Sequence, residues 1–466
     1  MNKRQFICGA ILAIMGVFSS AFAQQTYYVS STGTARANGL SAQTPMKDLQ
    51  KAIDAAEDGS TILVAEGNYL GNMDRGYVTV GIFGNGTNNG KYLKFYGGYS
   101  SDFSERDVIK HVTKIQPGEV SAKTIKGALL HITSRRPNGY KGPLGEGVGD
   151  GFTFDYGEVS KYCVADPKDS RTGTPNDGVL TGRILETGAS PATKAVGFTQ
   201  SDTYALHIDV EGNMKIQNCF VVICRNFGMQ GMIYEGHIEI SNNVFIACRY
   251  AACQVQGNSI KADKISLDFH HNTVLFTWTR TKELSDMGQG FRFRNGIRTI
   301  DVHNNIFGCN SRCGVERATY ESDKKLEALK QSNLWDNYFF ANHYDLEISN
   351  GVGSPINVPA SRIEECDEAT IGPKYENNVE MPENKAFTDA IDQAYLKGFL
   401  SINIVSSSSY DGNSAANQLN RAFGLNQQGT ETIRPSMYGN KYPWEKAKDL
   451  FGKVKDFGAQ IPVYTR

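Results

Sequence analysis

The chain runs to 466 residues and carries 48 Lys and Arg against 49 Asp and Glu, a formal net charge of −1, with no long basic run. That balance excludes a chain drawn to nucleic acid or to an anionic membrane surface by bulk charge. Its 48 glycines and 14 prolines call for many turns, and its length allows one large solenoid or two domains.

Residues 1–23 read as a secretory signal peptide. Lys3 and Arg4 precede an apolar run from Phe6 to Val17, and Ala21-Phe22-Ala23 offers the small residues a signal peptidase reads, with cleavage expected after Ala23. The mature chain is therefore expected in the periplasm, on the cell surface or outside the cell. Cys8 lies too near the start of the run for a lipobox, and no later stretch is long and apolar enough to span a bilayer.

Tyr27-Tyr28-Val29-Ser30 begins a strand, a Gly/Ser/Ala loop leads to Pro45, and Met46, Leu49, Ile53 and Ala56 share one face of a predicted helix. Gly59-Ser60-Thr61-Ile62-Leu63-Val64-Ala65-Glu66-Gly67-Asn68-Tyr69 follows. Together these resemble the entry module of secreted right-handed parallel β-helix proteins of the pectate-lyase-like superfamily. Tyr96-Gly97-Gly98-Tyr99-Ser100 with Ser104-Glu105-Arg106-Asp107 resembles a second landmark, found in surface-exposed β-helix proteins of Gram-negative bacteria. A solenoid end exposes an open apolar core and unpaired strand edges, so a capping helix has a physical reason.

Residues 134–200 carry few strand signals and read as a long insertion, with Gly151-Phe152-Thr153-Phe154-Asp155 a candidate rung. Arg135-Arg136-Pro137-Asn138-Gly139-Tyr140-Lys141-Gly142-Pro143 is a basic, turn-rich loop, either solvated or lining a groove for an acidic glycan.

From about Thr203 to Phe339 one pattern returns: alternating apolar residues, a polar pair ending in Asn, then an apolar step. The Asn falls at 218, 243, 272, 305 and 337, intervals of 25, 29, 33 and 32. That spacing predicts solenoid coils with a fixed corner, since Asn suits left-handed geometry and its amides stack between turns. An antiparallel sandwich gives no reason for the same Asn step to recur. After Phe339 the pattern lapses; 384–400, 415–423 and Pro443 to Phe451 read as helical. The expected organisation is a signal peptide (1–23), an all-β parallel β-helix (24–340) with a capping helix, and a partly helical C-terminal cap (341–466).

In active members of the superfamily, the resemblance implies, substrate lies along the strand face preceding the Asn corner. Buried Leu206, Ile208, Val210, Cys253, Val255, Phe291, Phe293 and Val315 would turn their neighbours outward. One predicted column is Glu211, Glu235, Gln256, Arg294 and Glu316; a second is Asp209, Gln254 and Arg292, with His207 on the same face. Glu211 and Glu235, one rung or about 4.8 Å apart, would serve as a retaining-type carboxylate pair or bind calcium with Asp209. Arg292 and Arg294 would neutralise a uronate carboxylate, and His207, or Tyr234 as second choice, would act as base.

The column is equally open to a purely structural reading, because outward positions of any solenoid are polar. Asp268, His270 and His271, beside the corner, are assigned to turn hydrogen bonding, and the cysteines form no Cys-x-x-Cys motif. The function expected first is a polysaccharide lyase on a uronate-containing polysaccharide or glycoconjugate. The alternatives are a non-catalytic glycan-binding or adhesin-like β-helix and a glycoside hydrolase using the Glu pair.

Overall fold

A computed structural model describes residues 24–70, 78–80, 82–84, 87–89, 91–116, 127–136, 139–155, 203–222, 227–248, 251–277, 288–294, 296–318, 331–349, 355–366, 374–400 and 442–464. The expected signal peptide, most of the 134–200 insertion and the helix expected at 415–423 lie outside these residues, as do Cys163 and Cys224.

The strands stack in parallel as coils of a β-helix. One coil runs through Thr203–Glu211 on a first face and Asn213–Gln217 on a second, then turns a corner into Phe220–Val222 on a third. The next coil repeats this with Phe227–Ser241, which spans two faces by bending at Gly236, and Val244–Ile246. Ala251–Gly257, Ile265–His270 and Thr273–Leu275 follow, then Gln289–Arg294, Thr299–His303 and Ile306–Gly308. Each strand pairs with its counterpart one coil on. The inward residues build one core in which Phe269 stacks on Phe291 at 4.0 Å and Phe307 on Phe339 at 5.4 Å.

The entry module folds as its sequence implies. Thr26–Thr34 pairs with Thr61–Ala65, and the helix Leu49–Ala55 buries Leu49, Ala52 and Ile53 in the core. Asp48 caps the helix by accepting from the Gln50 and Lys51 N–H groups. Met46 precedes the helix and bridges to Val29 and Thr34 instead. Among the described residues no helix is long and apolar enough to cross a membrane.

The corner differs from expectation by one residue. The buried ladder is Asn243, Asn272, Asn305, Asn337 and Asn378, and in the first four Oδ1 accepts the backbone N–H of the corner residue one coil earlier. Asn337 shows the last link through its amide, which donates to Asn378 Oδ1 at 2.9 Å. Asn218 is not in this ladder: Cys219 holds the place, donating its N–H to Asn243 Oδ1 at 2.9 Å. Asn218 takes the preceding position, shared with Asn242, His271, Asn304, Asp336 and Asn377, all left-handed with φ between 51° and 57°. A second ladder, which the sequence pattern missed, joins Thr277, Asn310 and Asn342 at the corner after the third face.

The coils also continue past the boundary expected at 340. Tyr344–Ser349 extends the first face, and Tyr375–Glu376 and Val379–Glu380 pair onto the second and third with Asn378 between them. The helices Lys385–Ala390 and Gln393–Leu400 follow, and Pro443 caps Trp444–Ala447 from outside rather than opening it. The C-terminal segment then returns over the third face, with Phe451 on Phe220 and Phe457 stacked on Tyr338 at 3.8 Å. Gly458 N–H donates to Asn304 O at 2.8 Å, and Asn242 Nδ2 donates to Gln460 O. Cys219, Cys248, Cys253, Cys309 and Cys313 are buried.

His271 occupies a corner position otherwise held by Asn or Asp. Burial, with the charges of His270 and His303, brings its pKa down to about 4. The unfolded imidazole takes a proton near 6.5, so between 6.5 and 4 the unfolded chain binds more protons and stability falls on acidification. His271→Asn keeps the left-handed corner and removes that term. Its unfolding free energy, measured by denaturant titration at pH 7 and pH 5, is expected to drop less than that of the parent chain. The difference should be on the order of 1 kcal/mol after solvent screening of a half-buried ring; an equal drop in both proteins contradicts the assignment.

Candidate functional site

On the first face, register places His131 beside His207, then Gln230, Gln254, Arg292, Glu316 and Glu347 in one outward column. Asp209 stands in the neighbouring column with Thr133, Met232 and Gln256. The predicted columns were therefore mis-phased: Glu316 aligns with Arg292 rather than Arg294, and Arg294 aligns with Ala318 and Ser349. A register shift between Val210 and Glu211, with Tyr234 as the extra residue, displaces the Glu211–Glu235 pairing from the rest.

The predicted substrate-binding groups Arg292, Glu316 and Gln254 are tied to one another. Arg292 Nε lies 2.7 Å from Glu316 Oε2 and its Nη1 donates to Gln254 Oε1 at 3.0 Å, while Gln289 Nε2 donates to Glu316 at 2.7 Å. Glu316 and Gln254 are 1% and 4% exposed, which makes this a closed, internally paired network rather than an open recognition surface. Arg312 and Glu347 form a similar pair one coil on.

The predicted carboxylate pair also has a partner. Lys261, on the 3₁₀ helix Ser259–Lys264, places Nζ 3.0 Å from Glu211 Oε1 and 2.9 Å from Glu235 Oε2. The Lys261 hydrogen bond holds the Glu235 carboxyl below its usual range. An ammonium group thus sits where calcium was expected, and Asp209 turns away to His131, so the predicted three-carboxylate calcium set is not assembled.

What the fold does bring together is His131, His207 and Asp209. His131 Nε2–H donates to Asp209 Oδ2 at 3.0 Å, and His207 Nε2 lies 4.0 Å from the same oxygen. The two imidazoles stack at 4.6 Å, and the Tyr204 ring lies 4.7 Å from that of His207. Burial, then the adjacent His131, brings the His207 pKa down to about 4 against the pull of Asp209, so its ring is neutral at physiological pH. Burial opposes ionisation of Asp209, but its His131 hydrogen bond and the charges of His207, His131 and Arg135 outweigh it and keep the carboxyl below its usual range.

Ser134, Arg135 and Arg136 leave the strand alongside this cluster. Ser134 N–H donates to Asp209 O, and Arg136 N–H donates to Glu211 Oε2 at 3.1 Å. Arg135 lies 3.9 Å over the Tyr234 ring, and its buried Nε has no hydrogen-bond partner among the described residues. Arg136 is engaged by Asp58 and the Tyr92 ring.

His131 and Lys261 were not among the predicted site residues, and Arg135 was expected only as part of a basic loop, solvated or lining a groove. One signal was present: Leu-His-Ile occurs at both 130–132 and 206–208, so the same outward histidine appears on two rungs. On the second face His270 and His303 stack at 5.0 Å, and His303 Nε2 lies 3.1 Å from Asp268.

No family profile matches the chain, and no curated protein matches it by sequence. Among solved structures it is similar to XylC in complex with xylose, at 11% identity and TM-score 0.31, covering 70% of this chain and 63% of that one, under two thirds of its length. It is similar to pectate lyase Pel9A at 12% identity and TM-score 0.31, over 77% of this chain and 87% of that one. It is also similar to a pectin methylesterase mutant in complex with a hexasaccharide, at 11% identity and TM-score 0.33, over 80% and 97%. Likeness at this level assigns no chemistry to this chain.

Proposed function

We propose that this protein is an exported, carbohydrate-active β-helix protein: a polysaccharide lyase that cleaves a uronate-containing glycan on the first face, at the His131–His207–Asp209 cluster. The observation that carries this reading is a neutral imidazole beside an anchored carboxylate, with the Arg135 guanidinium lying over Tyr234 alongside. β-Elimination needs the uronate charge offset before its neighbouring proton becomes acidic. Arg135, partly exposed and held over the Tyr234 ring, supplies that cation.

His207 Nε2 takes the proton from the carbon next to the carboxylate. The electron pair forms the double bond and the glycosidic oxygen leaves from the adjacent carbon. Tyr234, whose pKa is raised chiefly by burial, keeps its proton at neutral pH and protonates that oxygen. Asp209 and His131 hold the cluster's orientation. Calcium has no step in this scheme. Hydrolysis by the Glu pair is disfavoured, because Lys261 stabilises the ionised form of the very group that would have to act as acid.

The test is ultraviolet absorbance of the unsaturated uronate when the mature protein is incubated with a panel of uronate polysaccharides. Arg135→Ala is expected to lower the rate by about 100-fold or more. Reducing ends released without unsaturated product, or an unchanged rate in the variant, would remove the lyase reading or Arg135's part in it respectively.

A further inference from the structure

We propose that His131, His207 and Asp209 form a binding site for a divalent transition-metal ion of the zinc class. The ligand atoms would be Nε2 of each imidazole, with the His131 ring proton moved to Nδ1, and Oδ2 of Asp209.

The site follows from the register of two strands. His131 and His207 are direct neighbours on consecutive rungs, and Asp209 is two residues from His207, hence on the same outward face. One donor atom from each residue lies within 4.8 Å of the others. Asp209 Oδ2 is 3.0 Å from His131 Nε2 and 4.0 Å from His207 Nε2. Zinc bonds of about 2.0–2.1 Å set tetrahedral donors roughly 3.3 Å apart, so the two separations bracket the required one and small side-chain adjustments suffice.

The donor set decides the class of ion. Two imidazole nitrogens and one carboxylate suit zinc and its neighbours, whereas calcium takes six to eight oxygens. The side chains are 19%, 24% and 16% exposed, enough for an ion to enter while little bulk water competes. Three protein ligands leave a position open toward solvent for water or a sugar oxygen. The neighbouring Glu211–Glu235 pair offers no rival site, because Lys261 bridges it.

Occupancy has a consequence that rests on the lyase reading. Nε2 of His207 has one lone pair, so an ion bound there withdraws the base. Zinc is then expected to suppress elimination and a chelator to restore it.

Binding is tested independently of activity. Mature full-length protein freed of metal by a chelator is titrated calorimetrically with zinc chloride alone, and separately with calcium chloride. One zinc per chain in the micromolar range or tighter is expected, with no saturable calcium heat. His131→Gln and Asp209→Asn should each weaken binding by about 100-fold or more, since losing even an outer-shell partner costs about 10–100-fold. His303→Gln, on the second face, should bind as the parent does. Cobalt titrated into the unmutated protein gives a visible absorption spectrum that reports nitrogen and oxygen ligation without any variant, guarding against a misfolded mutant. Absence of saturable zinc binding, or full binding in the double variant His131→Gln/His207→Gln, overturns the site. A zinc site without unsaturated product would leave this inference standing and remove only the lyase reading.

Discussion

His207→Gln is expected to lower the elimination rate by about 10²–10⁴-fold, the span that a positioned general base contributes. Gln keeps a polar side chain of similar reach in the half-buried slot between His131 and Tyr204, so the loss should not come from collapse of the face. Because His207 acts on the proton in flight, kcat should fall with KM nearly unchanged. A rise in KM alone would make His207 a binding group and leave the base elsewhere. The pH profile gives a second readout: with a His207 pKa near 4, activity of the parent enzyme should hold through neutral pH and fall only well below it.

Asn305→Ala is expected to cost about 4 kcal/mol of folding stability. Asn305 Oδ1 accepts the Asn272 N–H at 2.8 Å and Nδ2 donates to Phe269 O at 2.9 Å and to Asn337 Oδ1 at 2.9 Å. The residue is fully buried, so truncation strands a backbone donor and a backbone acceptor where no water reaches. Each stranded group costs about 1–3 kcal/mol, and loss of the link to Asn337 adds to that. Denaturant unfolding monitored by circular dichroism measures it; a change below about 1 kcal/mol would mean that the ladder is decoration on a helix held by its apolar core alone.

The corner ladder and the histidine site differ in how far the sequence discloses them. The β-helix was legible because its forces are local and periodic. Alternation at Leu206, Ile208 and Val210 fixes the inward face, and the Asn step recurs because each corner needs both a left-handed residue and a buried amide. Even there the pattern conflated two positions: Asn218 matches the left-handed place and Cys219 the ladder place, a distinction visible only once the hydrogen bonds are traced.

The site was legible only in part, for a different reason. His207, Asp209, Glu211 and Glu235 lie on adjacent strands, and alternation alone turns them outward. The groups that decide their chemistry arrive from far along the chain. His131 and Arg135 come from the strand Gly127–Thr133 and its exit, more than 70 residues earlier, and Lys261 comes from a short 3₁₀ helix that carries no periodic signal. Lys261 converts an expected acid pair into a bridged ion cluster, and the bulge at Val210 and Glu211 shifts the columns. Neither a side chain's reach nor a register shift leaves a period in the sequence.

Digestion of the preferred uronate polysaccharide in water enriched with heavy oxygen, followed by mass spectrometry of the oligosaccharide products, separates elimination from hydrolysis most directly. Elimination breaks the glycosidic bond without adding water, so the expected products are chains that end in an unsaturated uronate and gain no label during cleavage. Products each carrying one heavy oxygen from the cleavage step, with saturated ends, would establish hydrolysis and contradict the assignment of His207 and Arg135 as base and charge neutraliser.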